Sequence, residues 1–119
     1  MNTKEFLSRY AAGQRDFRNL NLMAANLRNI NLSGVNLSGA NLTKANLTRT
    51  NLSHANLSDA ILTGAVLTQT NLTKANLLNA DLSQTSLADA EIGQARVRTT
   101  IAAEAANMVR QTPTVPDSV

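Results

Sequence analysis

The stretch SGANLTKANLTRTNLSHANL, Ser38 to Leu57, repeats with a period of five residues. Placing the central residue of each repeat at position i puts Phe17, Leu22, Leu27, Leu32, Leu37, Leu42, Leu47 and Leu52 there. The series continues through Leu57, Leu62, Leu67, Leu72, Leu77, Leu82, Leu87, Ile92 and Val97. That makes 17 in-phase repeats over residues 15–99, with no insertion. Position i−2 is mostly Ala, i−1 mostly Asn and i+1 mostly Ser or Thr, while i+2 varies.

A helix cannot use this pattern. At about 100° per residue, five steps scatter the leucines around the cylinder. Asn, Ser and Thr also compete with helical hydrogen bonding in helix interiors. A flat strand fails because five is odd, so successive leucines would face opposite ways. The pattern works only if the chain turns once per repeat and every leucine meets a shared axis. That shape is a solenoid, in which stacked units bury together what one unit cannot. The small i−2 residue then also points inward. Asn at i−1 and Ser or Thr at i+1 sit near corners, where their side chains can bond turn backbone.

The rest of the composition agrees. Hydrophobic residues make up 43% of the 119, yet aromatics are only 3%, so the core should be narrow and leucine-lined. With no cysteine there is no disulfide framework or thiolate metal site. The N-terminus lacks the long apolar run of a signal peptide and carries Glu5 and Asp16. No window reaches the apolar length that spans a bilayer, so the sequence predicts a soluble, cytoplasmic protein with no membrane association.

Tandem GANLT, KANLT and HANLS units resemble the A[N/D]LXX repeats of the pentapeptide-repeat proteins. The resemblance covers residues 15–99, and the opening FLSRYAAGQRDFRNLNL is similar to the way many members enter their coil. It implies an all-β solenoid, a right-handed quadrilateral parallel β-helix with four repeats per coil. Periodicity by itself fixes neither the number of sides nor the hand.

An open solenoid exposes leucines and unpaired edges at both ends. Residues 1–14 read as an N-terminal cap, with a helix over 3–12. Asn2 and Glu5 suit its start, Phe6, Leu7, Tyr10 and Ala11 share one face, and Gly13 stops it. Beyond Thr99, residues 100–111 read as a short C-terminal helix carrying Ile101, Ala105, Met108 and Val109 at helical spacing. That helix is either a second lid or a homodimer contact. Residues 112–119 hold both prolines and no period, so they read as a disordered tail.

Little in the chain suggests catalysis. His54 is the lone histidine and falls at an outward i+2 position, so no metal site is expected. The many Ser and Thr residues occupy turn positions without a paired base. Gly34 and Gly39 are isolated, so no phosphate loop is present. No cofactor and no enzymatic activity are expected.

The net charge is +3, unevenly spread. Residues 1–50 hold seven basic side chains against two acidic, and residues 51–92 hold one against four. Some pentapeptide-repeat proteins mimic DNA and bind type II topoisomerases with strongly acidic rods, which this basic chain does not match. Nucleic-acid or topoisomerase binding is therefore the disfavoured alternative.

One break in the pattern is specific. Position i−1 is Ile61 in DAILT and Val66 in GAVLT, where Asn is otherwise usual. With Leu78 at i+1, these residues form a candidate protein-contact patch. The sequence thus predicts a non-enzymatic scaffold or interaction module for an unidentified protein partner. Its candidate contacts are Ile61, Val66, Leu78, Ile101, Ala105, Met108 and Val109.

Overall fold

A computed structural model describes residues 1–98. Residues from Asp16 onward wind into stacked coils, each residue at position i−1 pairing in parallel with the one 20 positions later. Twenty residues per coil and five per repeat make the solenoid four-sided. Side 1 carries Asp16, Asn36, Asn56, Asn76 and Arg96 at position i−1. Side 2 carries Asn21, Asn41, Ile61 and Asp81, and side 3 carries Asn26, Asn46, Val66 and Ser86. Side 4 carries Asn31, Asn51, Asn71 and Glu91.

Three backbone bonds per repeat join the coils. Leu42 N–H donates up to Ile61 C=O at 2.7 Å, and Asn41 N–H donates down to Leu20 C=O at 2.9 Å. At the corner, Lys44 N–H donates up to Thr63 C=O at 2.9 Å. A fourth bond, such as Ala45 N–H to Leu42 C=O at 3.0 Å, closes the turn itself. Few continuous strands result in what is expected to be an all-β solenoid. Among the described residues, only β1 (Asn76–Leu78) and β2 (Arg96–Arg98) are strands, and the other coils pair through single residues. The reason is geometric: a corner in every repeat leaves too little extended chain for a longer ladder.

The corners explain why i+2 varies so freely. From Asn19 to Gln94 every i+2 residue has positive φ, thirteen of them not glycine, with Lys74 at 60°. Since only the third turn residue is left-handed, these are type II turns. Each non-glycine there costs about 1–2 kcal/mol, which the inter-coil bonds offset. What the corner selects against is branching at Cβ, not polarity. Lys74→Gly is expected to stay within about 1 kcal/mol of the parent, because relief of strain offsets glycine's entropy. Lys74→Val is expected to lose about 1–2 kcal/mol or more, since a β-branched residue is a true outlier at positive φ. Urea denaturation of both variants checks this.

Inside, the position-i side chains are buried from Phe17 to Ile92. Alanines such as Ala40, Ala45 and Ala60 fill the i−2 columns beside them. Among the described residues, two polar ones enter this core, Thr50 and Thr70. Their hydroxyls donate to the carbonyls of Leu27 and Leu47, so neither is left unpaired.

Helix α1 (Thr3–Ala11) covers the first coil, ending one residue earlier than expected. Asn2 Oδ1 accepts from Glu5 N–H at 2.8 Å, and the Ala12 N–H bonds back to the last turn before Gly13 turns the chain at φ 108°. Phe6 is fully buried and meets Phe17 edge to face, with centroids 4.7 Å apart. Leu7, Tyr10, Leu20 and Ile30 are partly buried against the core to which this pair belongs. The Tyr10 hydroxyl donates to Ser33 C=O at 2.7 Å, and Arg15 stacks 3.8 Å over the Tyr10 ring. The C-terminal helix and tail expected over 100–119 lie outside the described residues.

Candidate functional site

Asn recurs at i−1 because its carboxamide completes each turn. Asn41 Oδ1 accepts from Thr43 N–H at 3.0 Å and from the Thr43 hydroxyl at 2.6 Å. Asn46 treats Thr48 likewise, at 3.1 Å and 2.6 Å. The same N–H bond recurs from Asn21 through Asn56, and again at Asn71 and Asn76. Asp16 and Asp81 provide it with a carboxylate.

Ile61 and Val66 cannot supply that bond. Among the described residues, no side chain replaces it at Thr63 or Thr68 N–H, nor at Ala88 and Gly93, which follow Ser86 and Glu91 in their repeats. Ile61 gains little burial in exchange, being 42% exposed. Val66, on the next side of the same coil, is half-buried. The structure therefore brings Ile61 and Val66 to adjoining sides across one corner. Leu78 is half-buried on side 1, one coil further along, and does not share their two sides. Ile101, Ala105, Met108 and Val109 lie outside the described residues.

Restoring Asn tests whether the fold needs this break. Ile61→Asn is expected to leave stability unchanged or raise it by about 0.5–1.5 kcal/mol, the worth of one added hydrogen bond. Val66→Asn should behave similarly, less the burial that Val66 retains. Thermal melting of both variants is the check.

Sequence reading alone missed the charges around this corner. Lys44 lies below Gly64, where an added Cβ would come within 3.3 Å of the lysine Cγ. The absent glycine side chain leaves room for the lysine stem. At the other corner of side 3, Arg49 Nε donates to Gln69 Oε1 at 3.0 Å. Above it, a shallow hollow of about 410 Å³ is lined by Arg49, Gln69, Asp89 and Glu91. The only sequence signal for this grouping is the 20-residue spacing of Lys44 from Gly64 and of Arg49 from Gln69, which matters only once four sides are known.

On side 2, Asp81 sits directly above Ile61. The hydroxyl and N–H of Ser83, joined by the Thr63 hydroxyl, hold its carboxyl below the ordinary carboxylate range. A depressed folded-state value stabilises the fold above the unfolded pKa of about 3.9, and this is lost as pH falls through the folded value. Asp81→Asn is therefore expected to close its melting-temperature gap to the parent as pH drops from about 6 to 3.

Among the described residues, no three His, Cys, Asp or Glu side chains gather to hold a metal ion. His54 stands exposed at its corner. No helix there is long and apolar enough to cross a membrane.

Residues 21–59 and 50–89 match the family model for pentapeptide repeats, in eight copies. The crystal structure of alr5209, a pentapeptide repeat protein from Nostoc Pcc 7120, is similar with a TM-score of 0.79 and 38% identity, covering 80% of this chain and 78% of that one. HetL, a pentapeptide repeat protein involved in heterocyst differentiation regulation from Nostoc sp. Strain PCC 7120, is also 38% identical. That match covers 81% of this chain but 45% of HetL, with a TM-score of 0.43. A pentapeptide repeat protein from the Arabidopsis thaliana thylakoid lumen is 22% identical, covering 85% of this chain and 79% of its own, with a TM-score of 0.31. No curated protein matches the chain significantly.

Proposed function

Because the chain belongs to the pentapeptide-repeat family, we propose that it is a non-enzymatic scaffold whose right-handed, four-sided β-helix presents a rigid surface to a protein partner. The observation that carries this reading is Ile61. It gives up the turn bond that Asn provides in most repeats, yet remains 42% exposed. Folding gains little from that exchange, whereas a partner that buries the side chain would gain about 25 cal/mol for each Å² of apolar surface covered. Val66 makes the same exchange on the adjoining side.

Rigidity supports the role. Each coil is tied to the next by backbone bonds on all four sides, so the backbone beneath the surface needs little further ordering on binding. The proposal includes a cytoplasmic setting, which cell fractionation checks.

Affinity capture with the intact chain and with the Ile61→Asn/Val66→Asn variant, run in parallel, tests the contact. A protein held by the first and lost by the second, with the variant melting no lower than the intact chain, supports the reading. Identical captured sets would sink it.

A further inference from the structure

We infer that the partner segment is acidic and lies on side 3. This rests on the reading of Ile61 and Val66 as a contact surface, and it names the chemistry of what covers them. Val66 stands between two cations that both rise toward its coil. The Lys44 stem climbs beside Gly64 at one corner, and Arg49 reaches Gln69 at the other. Arg28 lies lower on the same side, exposed.

None of these three is in an ion pair. Among the described residues, the ion pairs are Glu5 with Arg9 and Asp16 with Arg18. Arg49 bonds to the neutral amide of Gln69, and Asp89 and Glu91 share its hollow without pairing with it. Arginine suits a carboxylate in two-point contact, and lysine supplies a mobile point charge. The uncapped Thr68 N–H on side 3 adds a donor of the kind that Asn Oδ1 satisfies elsewhere. A carboxylate or carbonyl oxygen could take that place.

The acidic residues set the limits of the patch. Asp59 precedes Ile61 at its corner and Asp81 lies above it, so side 2 repels an anion. Asp89 and Glu91 close the hollow above Arg49. An acidic segment with an apolar residue is thereby confined to side 3, with its apolar group on Val66 and the Ile61 edge. Three separated cations without aromatic neighbours make a poor stripe for a nucleic acid.

The test is an NMR titration of the ¹⁵N-labelled full chain. The probe is a blocked peptide of alternating glutamate and leucine, compared with its lysine counterpart and a short DNA duplex. The acidic peptide should shift the amides of Thr48, Arg49, Val66 and Thr68. Arg28→Glu/Arg49→Glu should weaken it about tenfold or more, and Lys74→Glu, at the opposite corner, less than about twofold. No response to the acidic peptide, or an equal or stronger response to the lysine peptide or the duplex, overturns the inference. Binding that falls with Ile61→Asn/Val66→Asn but ignores the charge reversal overturns the acidic partner and leaves the contact surface standing. Binding indifferent to both sets of substitutions overturns both.

Discussion

Phe6→Ala is expected to destabilise the protein by about 3–5 kcal/mol, the range for emptying a buried phenylalanine site. Phe6 is 0% exposed and its ring meets Phe17 edge to face at 4.7 Å. Removing it opens a void between α1 and the first coil. The aromatic pairing, worth about 0.5–1.5 kcal/mol beyond burial, is lost as well. For a domain of this size each kcal/mol moves Tm by about 4–8 °C. A fall of more than about 10 °C is therefore the expected result of a thermal melt. Tyr10→Phe is the useful comparison. It removes only the bond to Ser33 C=O and should cost about 0.5–1.5 kcal/mol. Equal effects from the two variants would show that the helix is held by its rim and not by Phe6.

The second large effect belongs to the leucine columns. Leu52→Ala is expected to cost about 2–5 kcal/mol. Leu52 lies in the column Leu32, Leu52, Leu72 on side 4, where all three are 0% exposed. Its coil has a neighbour above and below, so one cavity weakens two interfaces. In a stack whose stability is a sum over neighbours, that position should matter more than one at an end. Leu52→Met preserves volume and should cost less than about 1.5 kcal/mol. Urea denaturation separates the cases, and a loss below about 1 kcal/mol for Leu52→Ala would mean that the column closes over the gap.

Both effects were legible in the residues, for different reasons. The columns follow from counting, because a five-residue apolar period allows only a chain that turns once per repeat. The lid follows from the need to cover an open coil, together with Phe6, Leu7 and Tyr10 on one helical face. The Asn caps were foreseen in kind, since an Asn side chain at a corner readily bonds the turn. What could not be read was their loss at Thr63 and Thr68. That requires knowing which N–H each carboxamide serves.

The apolar patch was legible only in part. Ile61 and Val66 stand out as departures from the repeat, and the coil places them on adjoining sides. Leu78 stands out equally in sequence but falls on another side, because sharing a side depends on separation modulo the coil length. The cations beside Val66 carry no local signal at all. Lys44 and Gly64 are ordinary varying positions until 20 residues are found to return the chain to the same corner.

The sequence by itself determined the period, the inward residues, the turn in every repeat and the capping helix. These depend on contacts within a repeat or along one helix, so a local pattern contains them. Only the tertiary structure decided that there are four sides, and which residues 20 apart stack upon one another. A five-residue pattern is identical for any number of sides. The count is settled by the backbone bonds that close one coil onto the next, and backbone groups leave no mark on the identity of the side chains.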